Sequence, residues 1–286
     1  MSTVLPLPAV LAHPPATASP PVRGRSAVAR ASRWTARLLS LLACVLLWHA
    51  LSTTHAHLGF VTFANVPAPL DVARAGWDLA HSPKLLQHLG YSLWRIGWGF
   101  AAATLGGIGL GLLIGRFKWA QNALLPPLEV LRPVPAVAWI PLAILMFPSS
   151  EVSMIFITFT GALFPILLNT IHGVDGVDRR LLASARSLGC SGWRVFSQVV
   201  LPAAAPSIAT GLSIGMGTCW FCLVSAEMIS GQFGIGYYTW ESYTLQNYAG
   251  IVVGMLVIGL LGMGSSALIR AAADALMPWQ QRAGRA

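Results

Sequence analysis

Four stretches of the chain stay apolar and uncharged for twenty residues or slightly more: Ile96–Gly115, Val152–Ile171, Ser207–Ala226 and Tyr248–Ile269. A helix needs about 20 such residues to cross a hydrocarbon core, so each predicts a transmembrane helix. Leu38–Leu51 is shorter, but Trp34 extends it to a usable length. Pro133–Ser150 carries Pro133, Pro135, Pro141 and Pro148. So many prolines predict a kinked or partly irregular span, and such backbone survives in a membrane only under cover of protein or a water-lined cavity. That span is therefore expected inside a bundle, near a pathway. The expected class is an all-α polytopic membrane protein of about six transmembrane helices. The first occupies 34–52, a segment on the outer side follows over 53–90, and a five-helix core occupies 91–276. Residues 1–33 are rich in Ala and Pro and are expected to form a disordered cytoplasmic tail. Residues 277–286 form a second tail. The 37 residues before Leu38 are too many for the n-region of a signal peptide, so cleavage after Ala56 is not expected.

Composition points the same way. Hydrophobic residues make up 55% of the 286 and charged residues 9%, against roughly a quarter charged in ordinary soluble domains. An ordinary soluble enzyme is excluded. The net charge of +9 would suggest nucleic-acid binding on a soluble domain. Here it has a simpler cause, since loops that stay cytoplasmic are rich in Lys and Arg. With both termini inside, fourteen of the 18 basic residues fall on that side, among them Arg37, Arg116, Lys118, Arg179, Arg180, Arg186 and Arg194. Arg74 and Lys84 fall outside; Arg95 and Arg132 sit near predicted helix ends. Gly107, Gly111 and Gly115 recur every four residues, as do Gly211 and Gly215, and Gly250 and Gly254. Small residues at that spacing let helices approach closely in lipid. The run lacks the G-x-G-x-x-G spacing of a dinucleotide site.

The segment Val177–Pro206 is too patterned for a plain connection. Asp178 is placed to cap a short helix with Leu181, Ala185 and Leu188 on its apolar face, and Gly189 to end it. Ser191 is placed to cap a second helix, with Trp193, Phe196 and Val199/Val200 on one side. Leu201-Pro202 is expected to stop that helix before the next span. Two short amphipathic helices joined by a glycine turn suit either the membrane surface or the docking of a soluble partner.

The stretch Leu182-Ala183-Ser184-Ala185-Arg186-Ser187-Leu188-Gly189, followed by Val200-Leu201-Pro202, resembles the EAA loop of ABC importer permeases. Leu131-Arg132-Pro133-Val134-Pro135 with Trp139-Ile140-Pro141-Leu142-Ala143 looks like the third helix of the nitrate/sulfonate/taurine branch. Ala226-Glu227-Met228, Gly234-Ile235-Gly236 and Gly254–Gly262 look like that branch too, and the resemblance covers about Leu85–Met277. It implies a MetI-like permease core in a bacterial inner membrane, with both termini cytoplasmic and a coupling loop over 172–206. The implied partners are a second permease copy, two soluble ATPase subunits, a periplasmic substrate-binding protein and membrane lipid. The implied substrate is a small anion: nitrate, taurine or an alkyl sulfonate. The loop residues carried over are Ala183, Ser184, Ala185, Arg186, Leu188, Gly189, Leu201 and Pro202. One departure stands out: the family's Glu falls on Ala183, and its first Ala on Ser184.

Candidates for a pathway or gate are Arg132, Glu227, Tyr237 and Trp240. Glu227, at the end of the fifth span, is expected near the outer interface within reach of water, with a gating or pairing role set against a plain interfacial one. Glu129 and Arg132, three apart, are expected to pair. Cys219-Trp220-Phe221-Cys222 has C-x-x-C form, but inside an apolar span it lacks further ligands and an accessible thiolate. His49, His55 and His57 cluster without a carboxylate or cysteine, which favours an interfacial role over a metal site. Trp77, Trp94, Tyr238 and Tyr243 suit interfacial belts. No nucleophile–base pair, phosphate loop or cofactor motif is evident, so no catalytic, metal or cofactor site is expected, and no nucleic-acid partner. The rival reading is a secondary transporter, which would carry acidic coupling groups at mid-membrane; none appears in the middle of the six spans.

Overall fold

The computed structural model describes residues 27–279, apart from Ala56 and Phe60. The chain divides into two units, residues 1–50 and residues 51–286. The first unit is helical from Ala27 onward, in α1 (Ala27–Thr53). Of the expected tail over 1–33, residues 1–26 lie outside the described ones, as do 280–286, and residues 27–33 belong to α1.

The second unit takes in the last residues of α1 and then a two-residue β-ladder pairing His57–Leu58 with Val61–Thr62. Then come α2 (Pro69–Ala80) and α3 (Pro83–Arg116). Ser82 accepts from the Lys84 amide at 3.2 Å and Pro83 holds the first helical position, a start that suits proline because that N–H has no partner in any case. Next come α4 (Lys118–Leu131), a 3₁₀ turn (Ala136–Trp139) and α5 (Ile140–Met146). α6 (Ser150–Asp175), α7 (Arg179–Ser187), α8 (Gly192–Val195), a π-turn (Phe196–Val200), α9 (Leu201–Ser230), α10 (Ile235–Thr244) and α11 (Tyr248–Leu276) complete the order. Among the described residues, five helical stretches are long and apolar enough to cross a membrane. A sixth span arises if α4 and the 3₁₀–α5 segment, bent by 81°, count as one. The proline-rich stretch is thus broken, as its residues require. Sequence periodicity missed α2 and α10, because both are short and neither is apolar throughout.

α6 is the centre of the bundle: 50% of its apolar window is buried, against 11% for α11. Its contact with α3 is a ridge in a groove. Thr158, Ala162, Ile166, Thr170 and Val174 recur every four residues on α6, and Gly99, Ala103, Gly107, Gly111 and Gly115 recur every four on α3. A Cβ on Gly111 would stand 2.6 Å from Thr170 Cβ, and one on Gly107 2.9 Å from Ile166 Cγ2. The small stripe is what lets the helices meet. The threonines on the ridge satisfy themselves: Thr158 donates to Met154 O at 2.6 Å and Thr170 to Ile166 O at 2.7 Å.

On its other side α6 meets α9 through Gly161, Gly173, Gly211 and Gly215. Pro165 lies inside α6 and supplies no N–H to the carbonyl four residues back. That carbonyl, Gly161 O, accepts instead from Thr218 Oγ1 of α9 at 2.8 Å. In lipid a freed carbonyl needs such a partner. Trp220 Nε1 donates to Ser265 Oγ at 2.9 Å and links α9 to α11.

Candidate functional site

The polar chemistry sits at the two ends of this bundle. At one end α6 runs out through Val177 into α7. Asp178 Oδ1 accepts from the Arg180 amide at 2.8 Å, the expected cap. The other end of α7 closes in a Schellman turn. The Cys190 amide donates to Ala185 O at 3.1 Å and the Gly189 amide to Arg186 O at 3.0 Å. Gly189 has φ +78°, a left-handed conformation that costs other residues about 1–2 kcal/mol. Space is not the constraint there, since a Cβ would meet nothing within 4 Å.

The face α7 buries differs from the predicted one. Ala185 is buried and packs with the partly buried Leu182 against Val177, Val195 and Val200. Leu181 and Leu188, expected on the inner face, are 53% and 83% exposed. The turn places Cys190 over Ala185 and so selects the Leu182–Ala185 side. Ser191 occupies the cap position of α8 with extended backbone, but its side chain accepts no capping bond. Trp193 also points outward, 73% exposed, while Phe196, Val199 and Val200 face inward. Leu201-Pro202 does not stop this helix. The Leu201 amide reaches back to Phe196 O in the π-turn, and Pro202 falls in the first turn of α9, where its missing N–H is tolerated. Ala183, Ser184 and Arg186 are exposed, Leu201 is 38% exposed and Pro202 is partly covered. The Ala183 departure therefore leaves the helix–glycine–helix geometry intact.

The opposite end holds a buried ionic cluster that sequence reasoning did not assemble. Arg95, fully buried on α3, donates from Nε to Glu151 Oε2 at 2.8 Å and from Nη2 to Glu151 Oε1 at 2.5 Å. Its Nη1 donates to Glu227 Oε1 at 2.8 Å and to Phe233 O at 2.6 Å. Glu227 is 0% exposed, against the expectation that it reaches water. Ser92 Oγ donates to Glu227 Oε1 at 2.8 Å, and the Gly236 amide donates to its Oε2 at 2.9 Å. His88 Nδ1 accepts from the Gly234 amide at 3.1 Å and Ser92 Oγ from the Ile235 amide at 2.9 Å. His88, Ser92 and Arg95 are spaced i, i+4, i+7, so one face of α3 grips the turn between α9 and α10. Gly234 has φ +124° and stands directly against the Glu227 carboxylate, leaving no room for a Cβ. The arrangement is a clamp: two carboxylates share one guanidinium, and Ser92 and the Gly236 amide add further donors to Glu227.

The other pathway candidates scatter. Tyr237 and Tyr238 turn inward onto His88, with ring centroids 6.3 and 5.8 Å away. Trp240 is exposed and packs on Tyr243 at 5.3 Å. Arg132 caps the end of α4 and forms no ion pair with Glu129. It lies at the polar edge of an apolar cleft of about 420 Å³, lined by Leu131, Val137, Trp139, Phe156, Thr218 and Phe221 among others. The broken α4–α5 span walls this cleft against α6 and α9. Among the described residues no three metal-ligating side chains cluster. Cys219 and Cys222 are buried and free, with Cys222 filling the close α6–α9 contact at Gly161. The missed cluster left one signal in the sequence: the polar stripe His88, Ser92, Arg95 leading into the small stripe Gly99, Ala103, Gly107.

Comparison with known proteins adds the family. Residues 107–282 match the family described as binding-protein-dependent transport system inner membrane component. A putative ABC transporter permease of Methanocaldococcus jannaschii is 40% identical over 191 residues, 66% of this chain and 72% of that protein. The nitrate import permease of Leptolyngbya laminosa is 34% identical over 223 residues, covering 75% and 80%. A putative aliphatic sulfonates transport permease of Escherichia coli is 38% identical over 205 residues, covering 72% and 78%.

Proposed function

We propose that this chain, which belongs to the family of binding-protein-dependent transport system inner membrane components, forms the translocation pathway of an ATP-driven importer for a small anion. The substrate class is nitrate, taurine or an alkyl sulfonate, in keeping with relatives that carry the nitrate and sulfonate names. The chain supplies no ATPase of its own. ATP is hydrolysed on two soluble partner subunits, a binding protein delivers the solute from outside, and a second permease copy completes the pathway. Both termini and the α7–α8 loop face the cytoplasm.

One observation carries this reading. Leu188 and Leu181 stand outward on a short helical element whose own interior is already packed and whose end is locked by a glycine turn. A membrane-surface helix needs no such lock, whereas a docking element needs both an apolar contact and a fixed angle. Burying Leu188 in a partner groove contributes about 2 kcal/mol. From α8 the chain continues through the π-turn into α9 without a break and ends at the Glu227–Arg95 clamp, so a push on the loop is delivered along one helix. ATP must favour one access state over the other by differential contact, and this element is the route for that bias.

The test is co-expression with candidate ATPase subunits, followed by ATP hydrolysis by the purified complex in lipid, with and without liganded binding protein. Co-purification and ligand-stimulated hydrolysis are expected, both lost in Leu188→Glu without a change in melting temperature. Wild-type chain that inserts correctly yet recruits no ATPase refutes the docking role. A panel of nitrate, taurine and alkyl sulfonates then resolves the substrate.

A further inference from the structure

Two clefts meet at Arg116, where α3 ends. One, of about 220 Å³, is bounded by Arg116, Arg186 and Gly192 over an apolar floor that includes Val195 and Phe196. The other, of about 420 Å³, runs along Gly109, Leu112 and Leu113 and shares Arg116, Gly192 and Phe196 with the first. Gly109, Leu112, Leu113 and Arg116 are spaced i, i+3, i+4, i+7, so they form one stripe along the last two turns of a membrane-spanning helix. A Cβ on Gly109 would meet nothing within 4 Å, so the stripe is open there. The apolar cleft therefore lies at acyl-chain depth and the basic cleft lies where the span leaves the membrane.

Both arginines are exposed, and among the described residues neither makes an ion pair or a side-chain hydrogen bond. Arg116 lies over the Phe117 ring, 5.4 Å from its centroid. Two unpaired guanidinium groups lining one cleft suit a phosphate, which arginine binds through several donors at once. A free phosphate has no use for the adjoining apolar groove, and a zwitterionic lipid offers no net charge to the pair.

We propose that the joined clefts bind one anionic phospholipid, its phosphate between Arg116 and Arg186 and an acyl chain along Gly109–Leu113. Such a lipid bridges the end of α3 to α7 and sets the position of the loop helix according to the anionic content of the membrane. This does not depend on which partner docks on Leu188.

The test is native mass spectrometry of the full-length chain released from nanodiscs of equal phosphatidylglycerol and phosphatidylcholine. Wild type is expected to retain phosphatidylglycerol selectively. A basic residue near an anionic headgroup supplies about fivefold in affinity, so R116Q and R186Q each reduce retention by about that factor and the double variant by their product. R116K/R186K, which keeps the charge but not the forked donors, restores part of it. R179Q, on the same loop but outside both clefts, retains wild-type levels. Unchanged retention in the double variant, equal retention of phosphatidylcholine, or displacement by excess inorganic phosphate would each overturn the proposal, the last by assigning the cleft to a free anion.

Discussion

An Arg95→Met substitution withdraws the guanidinium from between Glu151 and Glu227 while keeping a side chain of similar length. Four donated hydrogen bonds go with it, two to Glu151 and one each to Glu227 and Phe233 O. The two carboxylates respond differently. The Glu151 side chain is 44% exposed, so water takes over its solvation; that of Glu227 is 0% exposed and is left as a buried charge with only Ser92 and the Gly236 amide. Breaking a buried pair from one side costs about 3–5 kcal/mol. At roughly 2–4 °C per kcal/mol for a chain of this size, the melting temperature falls on the order of 10 °C. Most of that loss is the stranded charge, so Arg95→Met/Glu227→Gln is expected to melt higher than Arg95→Met alone. Glu151→Gln is expected to cost less than Arg95→Met, because the replaced carboxylate is 44% exposed, the amide oxygen still accepts from the guanidinium, and Glu227 still neutralises it. The assay is thermal unfolding of five purified proteins in one detergent (wild type, Arg95→Met, Glu227→Gln, their double variant and Glu151→Gln), with hydrogen exchange at residues 231–236 reporting release of the turn. If the double variant is merely the sum of the singles, or Glu151→Gln is as damaging as Arg95→Met, the stranded-charge argument fails.

Further outcomes follow from single contacts. Gly111→Ala places a Cβ 2.6 Å from Thr170 Cβ and 3.0 Å from Leu167 O, and is expected to cost about 1–3 kcal/mol as α3 and α6 are pushed apart. Gly97→Ala on the same helix meets nothing within 4 Å and should melt like wild type; equal loss in both would show that helix packing is not the cause. Gly189→Ala is expected to cost about 1 kcal/mol through its positive φ alone, and Gly189→Asn less. Amide exchange at Gly189 and Cys190 should rise accordingly, and no rise would mean the turn is not held as described. Thr218→Val strands Gly161 O at a cost of about 1–3 kcal/mol. Adding Pro165→Ala, which returns an N–H to that carbonyl, should recover part of the loss in thermal unfolding; no recovery would assign the cost to packing.

The spans were legible because lipid imposes a single requirement on every turn of a helix, and a run of apolar residues meets it visibly. The small-residue stripe on α3 was legible for a related reason: close helix approach repeats every four residues. Gly189 was legible because few residues accept its backbone conformation. The proline-rich segment announced a break but not its 81° bend, which depends on how α6 and α9 wall the cleft beside it.

Which way the loop helix faces was not legible. Leu181, Ala185 and Leu188 form a good stripe on a helical wheel, yet only Ala185 is inside. On a helix of nine residues the amphipathic pattern is weak, and the Schellman contact from Cys190 selects the inner face instead. Arg95 looked like a charge near a helix end because a search for uncharged runs stops at it.

By itself the sequence determined the membrane class, the number and approximate place of the spans, the family resemblance and the glycine-turned loop, since each rests on local composition or a short repeat. Only the tertiary structure decided that Arg95 is neutralised, because its carboxylates lie 56 and 132 residues away along the chain. It also decided that Leu188 and Trp193 face out, and that the basic and apolar clefts join at Arg116. A period states which residues share a face of one helix. Which neighbour that face meets follows only from the packing of α3, α6 and α9 on one another.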